Sequence, residues 1–194
     1  MNIPHDEAMP RLLAISGSLR GASNSTAVLQ AMAHLLEGRV LVEIALLHDV
    51  PPYNADLDGH ALPDGVRRLK QAVAEADGLV VCSPEYNYGM PGVLKNAIDW
   101  VSRPAFASPL KGKPALIVTT SPGMFGGVRA QAQIRDALAA SLARPLARPH
   151  VAIPAVDKKL VDGRIEDETT RQMLLAGVSD LLAEVAAIAS STAA

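Results

Sequence analysis
The chain has 194 residues, with 18 Lys and Arg against 20 Asp and Glu and a net charge of −2. That length fits one domain spanning residues 1–194, large enough to close a core without disulfides or structural metal. A near-neutral surface of mixed sign excludes nucleic-acid or membrane-surface binding as the main task, because both need a concentrated basic face. The one cysteine, Cys82, excludes an intrachain disulfide, a Cys-based zinc site and a CxxC redox pair.

In chain order, Met1–Glu7 is acidic where a secretion signal is basic, and no uninterrupted apolar run approaches the ~18 residues of a membrane span. The expectation is a cytoplasmic protein without a membrane partner, flexible at 1–9 and 189–194. Apolar runs at Arg11–Ile15, Val40–Leu47, Gly78–Cys82, Ala115–Thr119 and Val151–Ile153 predict strands, mostly continuous as in a sheet covered on both faces. Between them, helical spacing joins Val28, Met32 and Leu35; Val66, Leu69 and Val73; Leu94, Ala97 or Ile98, and Val101; and Ile134, Leu138 and Leu142. A last helix runs through Leu174, Val178, Leu181, Val185 and Ile188. Asp64 is placed to cap the second helix, and Asp162-Gly163 predicts a small hairpin before the last. This alternation implies an α/β fold, a doubly wound five-stranded parallel sheet of order 2-1-3-4-5 with helices on both faces.

Chemistry concentrates in three loops. The first strand runs into Ser16-Gly17-Ser18-Leu19-Arg20-Gly21-Ala22-Ser23-Asn24-Ser25 and directly into a helix. Hydroxyls, a cation, two glycines and a helix N-terminus together favour a phosphate, although a serine-rich helix cap reads the same way. The pattern is neither a Walker A loop nor GxGxxG, so a monophosphate is expected. The third strand leads into Pro84-Glu85-Tyr86-Asn87-Tyr88-Gly89-Met90-Pro91-Gly92, and the fourth into Ser121-Pro122-Gly123-Met124-Phe125-Gly126-Gly127-Val128-Arg129. Tyr86, Tyr88, Trp100, Phe106 and Phe125 fall in one stretch, as stacking against a planar ligand would require. In the expected topology, loops 1, 3 and 4 meet at the switch point where ligands bind, whereas those after strands 2 and 5 look less specialised. Cys82 reads as a core thiol, Lys95 and Asp99 as a surface pair, and the five histidines show no metal-ligand spacing.

At Gly17-Ser18-Leu19-Arg20 with Ser23, at Pro84 through Trp100, and at Ser121 through Arg129, the chain resembles the NADPH-dependent FMN reductase family of flavodoxin-like proteins. Its members include quinone, chromate and azo-dye reductases. The resemblance implies that Ser18, Arg20, Ser23 and Ser25 hold the FMN phosphate. Pro84, Glu85, Tyr86 and Asn87 would then lie along the isoalloxazine, with Ser121 and Gly123 closing the other side. The family commonly has Asn two positions after the loop serine; here Ser25 stands there and Asn24 comes one earlier. The resemblance further implies a homodimer or homotetramer. NADPH or NADH would reduce bound FMN, which would pass electrons to a quinone, chromate, azo or free-flavin acceptor by ping-pong, with no catalytic side chain and no metal. An FMN-binding electron carrier, or a phosphosugar or nucleotide enzyme on the same fold, are the alternatives.

Overall fold
Near-continuous apolar runs become buried strands here because helices cover both faces of the sheet. The structure, a computed structural model, describes residues 9–59 and 61–192; the expected flexible ends at 1–8 and 193–194, and His5 and His60, lie outside the described residues. Arg11–Ser16 (β1), Leu41–Ala45 (β2), Gly78–Pro84 (β3) and Pro114–Thr120 (β4) pair in parallel in the order β2-β1-β3-β4. The fifth position is shared by Arg144–Pro145 (β5), beside the start of β4, and Val151–Ile153 (β6), beside its end. Pro145 and Pro149 explain the break, since proline cannot donate to a ladder.

Alternate residues of each strand feed the two cores. Leu12, Ala14, Val80, Leu116 and Val118 pack under Val28, Leu29 and Met32 of α1 (Asn24–Leu35) and Leu174, Val178 and Leu181 of α5 (Glu168–Thr192). On the other face, Leu13, Ile15, Leu79, Val81 and Ile117 meet α2 (Asp64–Glu75), α3 (Gly92–Val101) and α4 (Val128–Ala140). Each fully buried Leu, Ile or Val contributes about 1.5–3 kcal/mol.

Several local expectations change. Pro63, not Asp64, stands at the N-cap of α2; Asp64 lies in the first turn, where its charge suits the helix dipole, and pairs with Arg67 at 2.6 Å. Leu142 lies beyond α4, with φ of 63°, in the turn that carries the chain to β5. Residues 189–192, expected to fray, continue α5. The Asp-Gly hairpin forms as expected: Leu160–Val161 (β6 being followed by this β7) pairs with Arg164–Ile165 (β8), and Asp162 and Gly163 both take positive φ. By length and mean hydropathy, 1.7 over its most apolar window, α5 matches a membrane-spanning helix, although no uninterrupted apolar run does. Its Leu174, Val178 and Leu181 are nonetheless spent on the sheet, and much of its exposed face is alanine and serine.

Candidate functional site
The carboxyl ends of β1, β3 and β4 lie side by side, with Ser16 opposite Cys82 and Pro84 opposite Thr120. Their loops enclose a cleft of about 110 Å³. Of the residues expected at the site, Ser18, Arg20, Ser23, Asn24, Ser25, Pro84, Glu85, Tyr86 and Ser121 line it, joined by Thr120 and Pro122. Asn87 and Gly123 do not.

Ser23 is the N-cap of α1, and its Oγ accepts from the Thr26 amide at 3.2 Å. The first turn of a helix leaves amides without intrahelical partners, so α1 brings N–H donors and the positive dipole end to the cleft. Ser18 Oγ accepts from the Arg20 amide at 3.3 Å, and Ser121 Oγ from the Gly123 amide at 3.0 Å. A hydroxyl has one hydrogen as well as its lone pairs. Ser18, Ser23 and Ser121 use lone pairs in these contacts, which leaves their hydrogens for a ligand. Arg20, held by Nη2 to the Ala22 carbonyl at 2.9 Å, adds a cation.

Ser25 differs from its neighbours. It is buried, and its Oγ lies 3.0 Å from Thr120 Oγ1, tying α1 to the end of β4. Beneath it, burial pushes the Cys82 thiol up to about 12, against the opposing effect of its hydrogen bond with Ser25. Cys82 is thus the core thiol expected. Gly17 is small because the chain crosses β3 there: a Cβ would stand 2.6 Å from Ser83 Oγ. The constraint is therefore packing, not ligand approach. Gly126 likewise takes φ of 60° with its Cβ position 2.8 Å from the Ile153 nitrogen, so the loop after β4 can lie on β6.

In the loop after β3, Tyr86 and Gly89 exchange backbone hydrogen bonds at 2.9 and 3.0 Å, and Asn87 and Tyr88 between them both have positive φ. Asn87 is thus a turn residue, of the type that tolerates this conformation best. Glu85 accepts from the Arg129 amide at 2.9 Å and from its Nη1 at 3.2 Å. The aromatic stretch is mostly committed elsewhere than the cleft. Tyr88 and Phe125 flank the Arg129 guanidinium, Trp100 is fully buried, and Phe106 lies by the C-terminal end of α3; Tyr86 is the one of the five that lines the cleft.

The loop after β2 is more specialised than its sequence implies. His48 Nε2 lies 2.9 Å from the Leu19 carbonyl; a carbonyl only accepts, so Nε2 carries the hydrogen and braces the phosphate-type loop. Asn96 and Trp100, one helical turn apart on α3, both donate to the Pro51 carbonyl, at 2.9 and 2.8 Å. Their spacing was visible, but a partner in a loop of irregular backbone was not. Gln131, buried and bonded to Thr119 Oγ1 at 3.1 Å and to the Val151 carbonyl at 3.0 Å, similarly joins α4, β4 and β6. Lys95 and Asp99 form the expected surface pair at 2.6 Å. No metal-ligand cluster occurs among the described residues.

Residues 10–158 match the model of the NADPH-dependent FMN reductase family. The chain belongs to that family. An NAD(P)H-dependent FMN reductase of Pseudomonas aeruginosa is 40% identical over 84% of this chain and 89% of its own. A 2-hydroxy-1,4-benzoquinone reductase of a Burkholderia species is 36% identical over 84% of this chain and 90% of its own. Among solved structures, FerB, the flavoenzyme NAD(P)H:(acceptor) oxidoreductase of Paracoccus denitrificans, superposes with a TM-score of 0.79 at 33% identity, covering 91% of this chain and 97% of its own. As a member of this FMN reductase family, the chain is an oxidoreductase using NAD(P)H as donor and FMN as flavin cofactor. The cleft's donor set fits that cofactor: unspent hydroxyl hydrogens, first-turn amides and Arg20 suit a phosphate dianion, and the tyrosine turn beside them suits a planar ring.

Proposed function
We propose that the chain is a one-domain NAD(P)H:acceptor oxidoreductase of the cytoplasm whose FMN lies in this cleft. Ser18, Ser23 and Arg20, with the first-turn amides of Asn24 and Ser25, hold the phosphate. Pro84, Glu85 and Tyr86 present the loop along which the isoalloxazine lies, shaped by the turn at Asn87, and Ser121, bonded by the Gly123 amide, forms the opposite wall. Bound FMN supplies the redox chemistry, accepting hydride from NADPH or NADH and reducing a quinone, chromate, azo dye or free flavin in ping-pong order. The protein binds, orients and excludes competing groups, and no side chain needs to transfer a proton. The observation that carries this reading is the set of serines whose lone pairs are used and whose hydrogens are free around Arg20.

Tyr88, Met124 and Phe125 stay exposed beside the cleft, and a second copy of the chain covering them gives the homodimer, or with a further pairing the homotetramer, expected of the family. Sedimentation of the FMN-loaded protein tests this. The decisive functional experiment is the visible absorbance of the anaerobic FMN-loaded protein before and after one equivalent of NADPH. Rapid bleaching is expected. A flavin that stays oxidised with both NADPH and NADH would indicate a carrier, and failure to bind FMN would overturn the assignment of the cleft.

A further inference from the structure
Residues 18–22, the part of the first loop that carries Ser18 and Arg20, make no backbone-to-backbone hydrogen bonds among the described residues. Side chains hold them instead. Ser16 Oγ donates to the Ser18 carbonyl at 3.5 Å, Ser18 Oγ accepts from the Arg20 amide, and the Arg20 guanidinium bonds the Ala22 carbonyl. These contacts all arise within the loop or at the end of β1. Among the described residues, one hydrogen bond reaches the segment from elsewhere in the fold: His48 Nε2 donates to the Leu19 carbonyl at 2.9 Å.

His48 itself stands on a fixed base. Leu47 before it is buried in the core, and Asp49 after it pairs with Arg68 of α2. Helix α2 packs closely at this point, since a Cβ on Gly65 would overlap the Asp49 carbonyl. Two residues further on, Pro51 accepts from Asn96 and Trp100 of α3 at 2.9 and 2.8 Å. The chain is thus secured on both sides of His48, whose exposed ring spans from a held loop to one that lacks its own ladder.

The bond falls on the peptide that joins Leu19 to Arg20. That unit is held at both ends, its carbonyl by His48 and its N–H by Ser18 Oγ. A peptide is planar, so fixing the carbonyl aims the N–H. With the N–H on a lone pair of Ser18, the hydroxyl hydrogen of Ser18 is left for a ligand, and the Arg20 side chain starts from a fixed backbone. An anion that meets a loop already in this form does not bear the conformational entropy of ordering it.

We propose that His48 is a positioning residue that holds the phosphate loop in its binding form before the cofactor arrives, and thereby sets the preference of the protein for FMN over riboflavin. Riboflavin has the same ring system and no phosphate, so it gains nothing from the loop. The proposal rests on the FMN phosphate lying at this loop. His48 acts through Leu19 and is not among the residues lining the cleft.

Fluorescence titration of the flavin-free protein with FMN and with riboflavin tests it. His48→Ala should weaken FMN about five-fold, the order of one hydrogen bond, and riboflavin by less than about two-fold. His48→Phe, which keeps a ring and loses the donor, should behave as His48→Ala does. His48→Gln, which presents an N–H at a similar reach, should restore FMN affinity and with it the preference. Hydrogen exchange of the flavin-free protein gives a readout without any ligand: the amides of residues 18–22 should exchange faster in His48→Ala and His48→Phe, with the urea midpoint unchanged. The proposal is overturned if His48→Phe binds FMN as the wild type does, if FMN and riboflavin weaken equally, or if neither changes while Arg20→Ala weakens FMN. If Arg20→Ala also leaves the preference for FMN untouched, the placement of the phosphate fails, and the role of His48 falls with it.

Discussion
Glu85 accepts hydrogen bonds from both the backbone amide and the guanidinium of Arg129, at 2.9 and 3.2 Å. Arg129 is in the first turn of α4, so a carboxylate from the loop after β3 caps a helix that begins after β4. Its partner guanidinium lies 4.4 Å from the Tyr88 ring centre and 4.9 Å from that of Phe125. The two walls of the cleft are thereby joined by one charge pair and its aromatic flanks. Glu85 is largely enclosed, with 14% of its side chain exposed, while Arg129 is 41% exposed, so solvent screens only part of the interaction.

Removal of that carboxylate therefore acts on stability and on the cleft together. Glu85→Ala should lose about 2 kcal/mol, by combining a lost helix cap with a lost charged hydrogen bond. Glu85→Gln, which keeps an acceptor for the Arg129 amide, should lose about half as much. Urea unfolding of the flavin-free protein measures both, and FMN affinity should fall in the same order. Equal stability of all three proteins would show that the tie contributes nothing.

Arg20 makes the opposite prediction, a ligand effect with little effect on the fold. Its guanidinium is exposed and bonds only the nearby Ala22 carbonyl among the described residues. Arg20→Ala should weaken FMN about ten-fold or more, with a smaller salt dependence, while the urea midpoint of the flavin-free protein stays within error. Unchanged FMN affinity would move the phosphate away from this loop.

The legible part of the molecule was the part written in local pattern. Continuous apolar runs at β1, β3 and β4 mark buried strands, and the Asp162-Gly163 hairpin is read from turn chemistry alone. Features that depend on distant partners were hidden. Nothing near Glu85 in sequence points to Arg129, forty-four positions away, and His48 lies in a loop whose composition is ordinary. The aromatic cluster misled for the same reason. Sequence proximity of Trp100 and Tyr86 hides that one sits on the buried face of α3 and the other in the turn before that helix, at the cleft.

Ser25 and Asn24 separate along this line. Ser25→Ala leaves Thr120 without its buried partner and should cost about 1–2 kcal/mol, with FMN affinity little changed once stability is allowed for. Asn24→Ala, at a half-exposed position on the cleft, should shift the affinity and spare the fold. Fluorescence titration with FMN beside urea unfolding distinguishes them. The reverse pattern would make Ser25 the phosphate ligand.

Acid should act on the start of α5. Asp167 accepts hydrogen bonds from the Thr170 hydroxyl, at 2.5 Å, and from its amide, at 2.9 Å, and these, with Lys159 nearby, hold its carboxyl below the usual range. A depressed folded value means that the unfolded state binds the proton more readily, so this stability is present above the unfolded value, near 3.9, and is lost as pH falls through the folded one. Asp167→Ala should accordingly lower the urea midpoint at pH 7 and converge with the wild type in acid below that range. A difference that persists unchanged at the lowest pH would place the effect in packing instead of charge.

Cys82 closes the set with a test of the core beneath the cleft. It is fully buried in β3, and burial pushes its thiol up, so the thiolate is scarce near neutral pH. Since the thiolate is the nucleophile, both its scarcity and its inaccessibility oppose alkylation. Iodoacetamide should leave the native protein unmodified and its flavin reduction unaltered, with labelling appearing only as urea unfolds the sheet. Because Ser25 bonds both Thr120 and Cys82, Ser25→Ala should bring labelling to lower urea in step with its loss of stability. Rapid labelling of the folded wild type, with activity lost in parallel, would mean that the end of β3 opens to solvent and that the thiol belongs to the site.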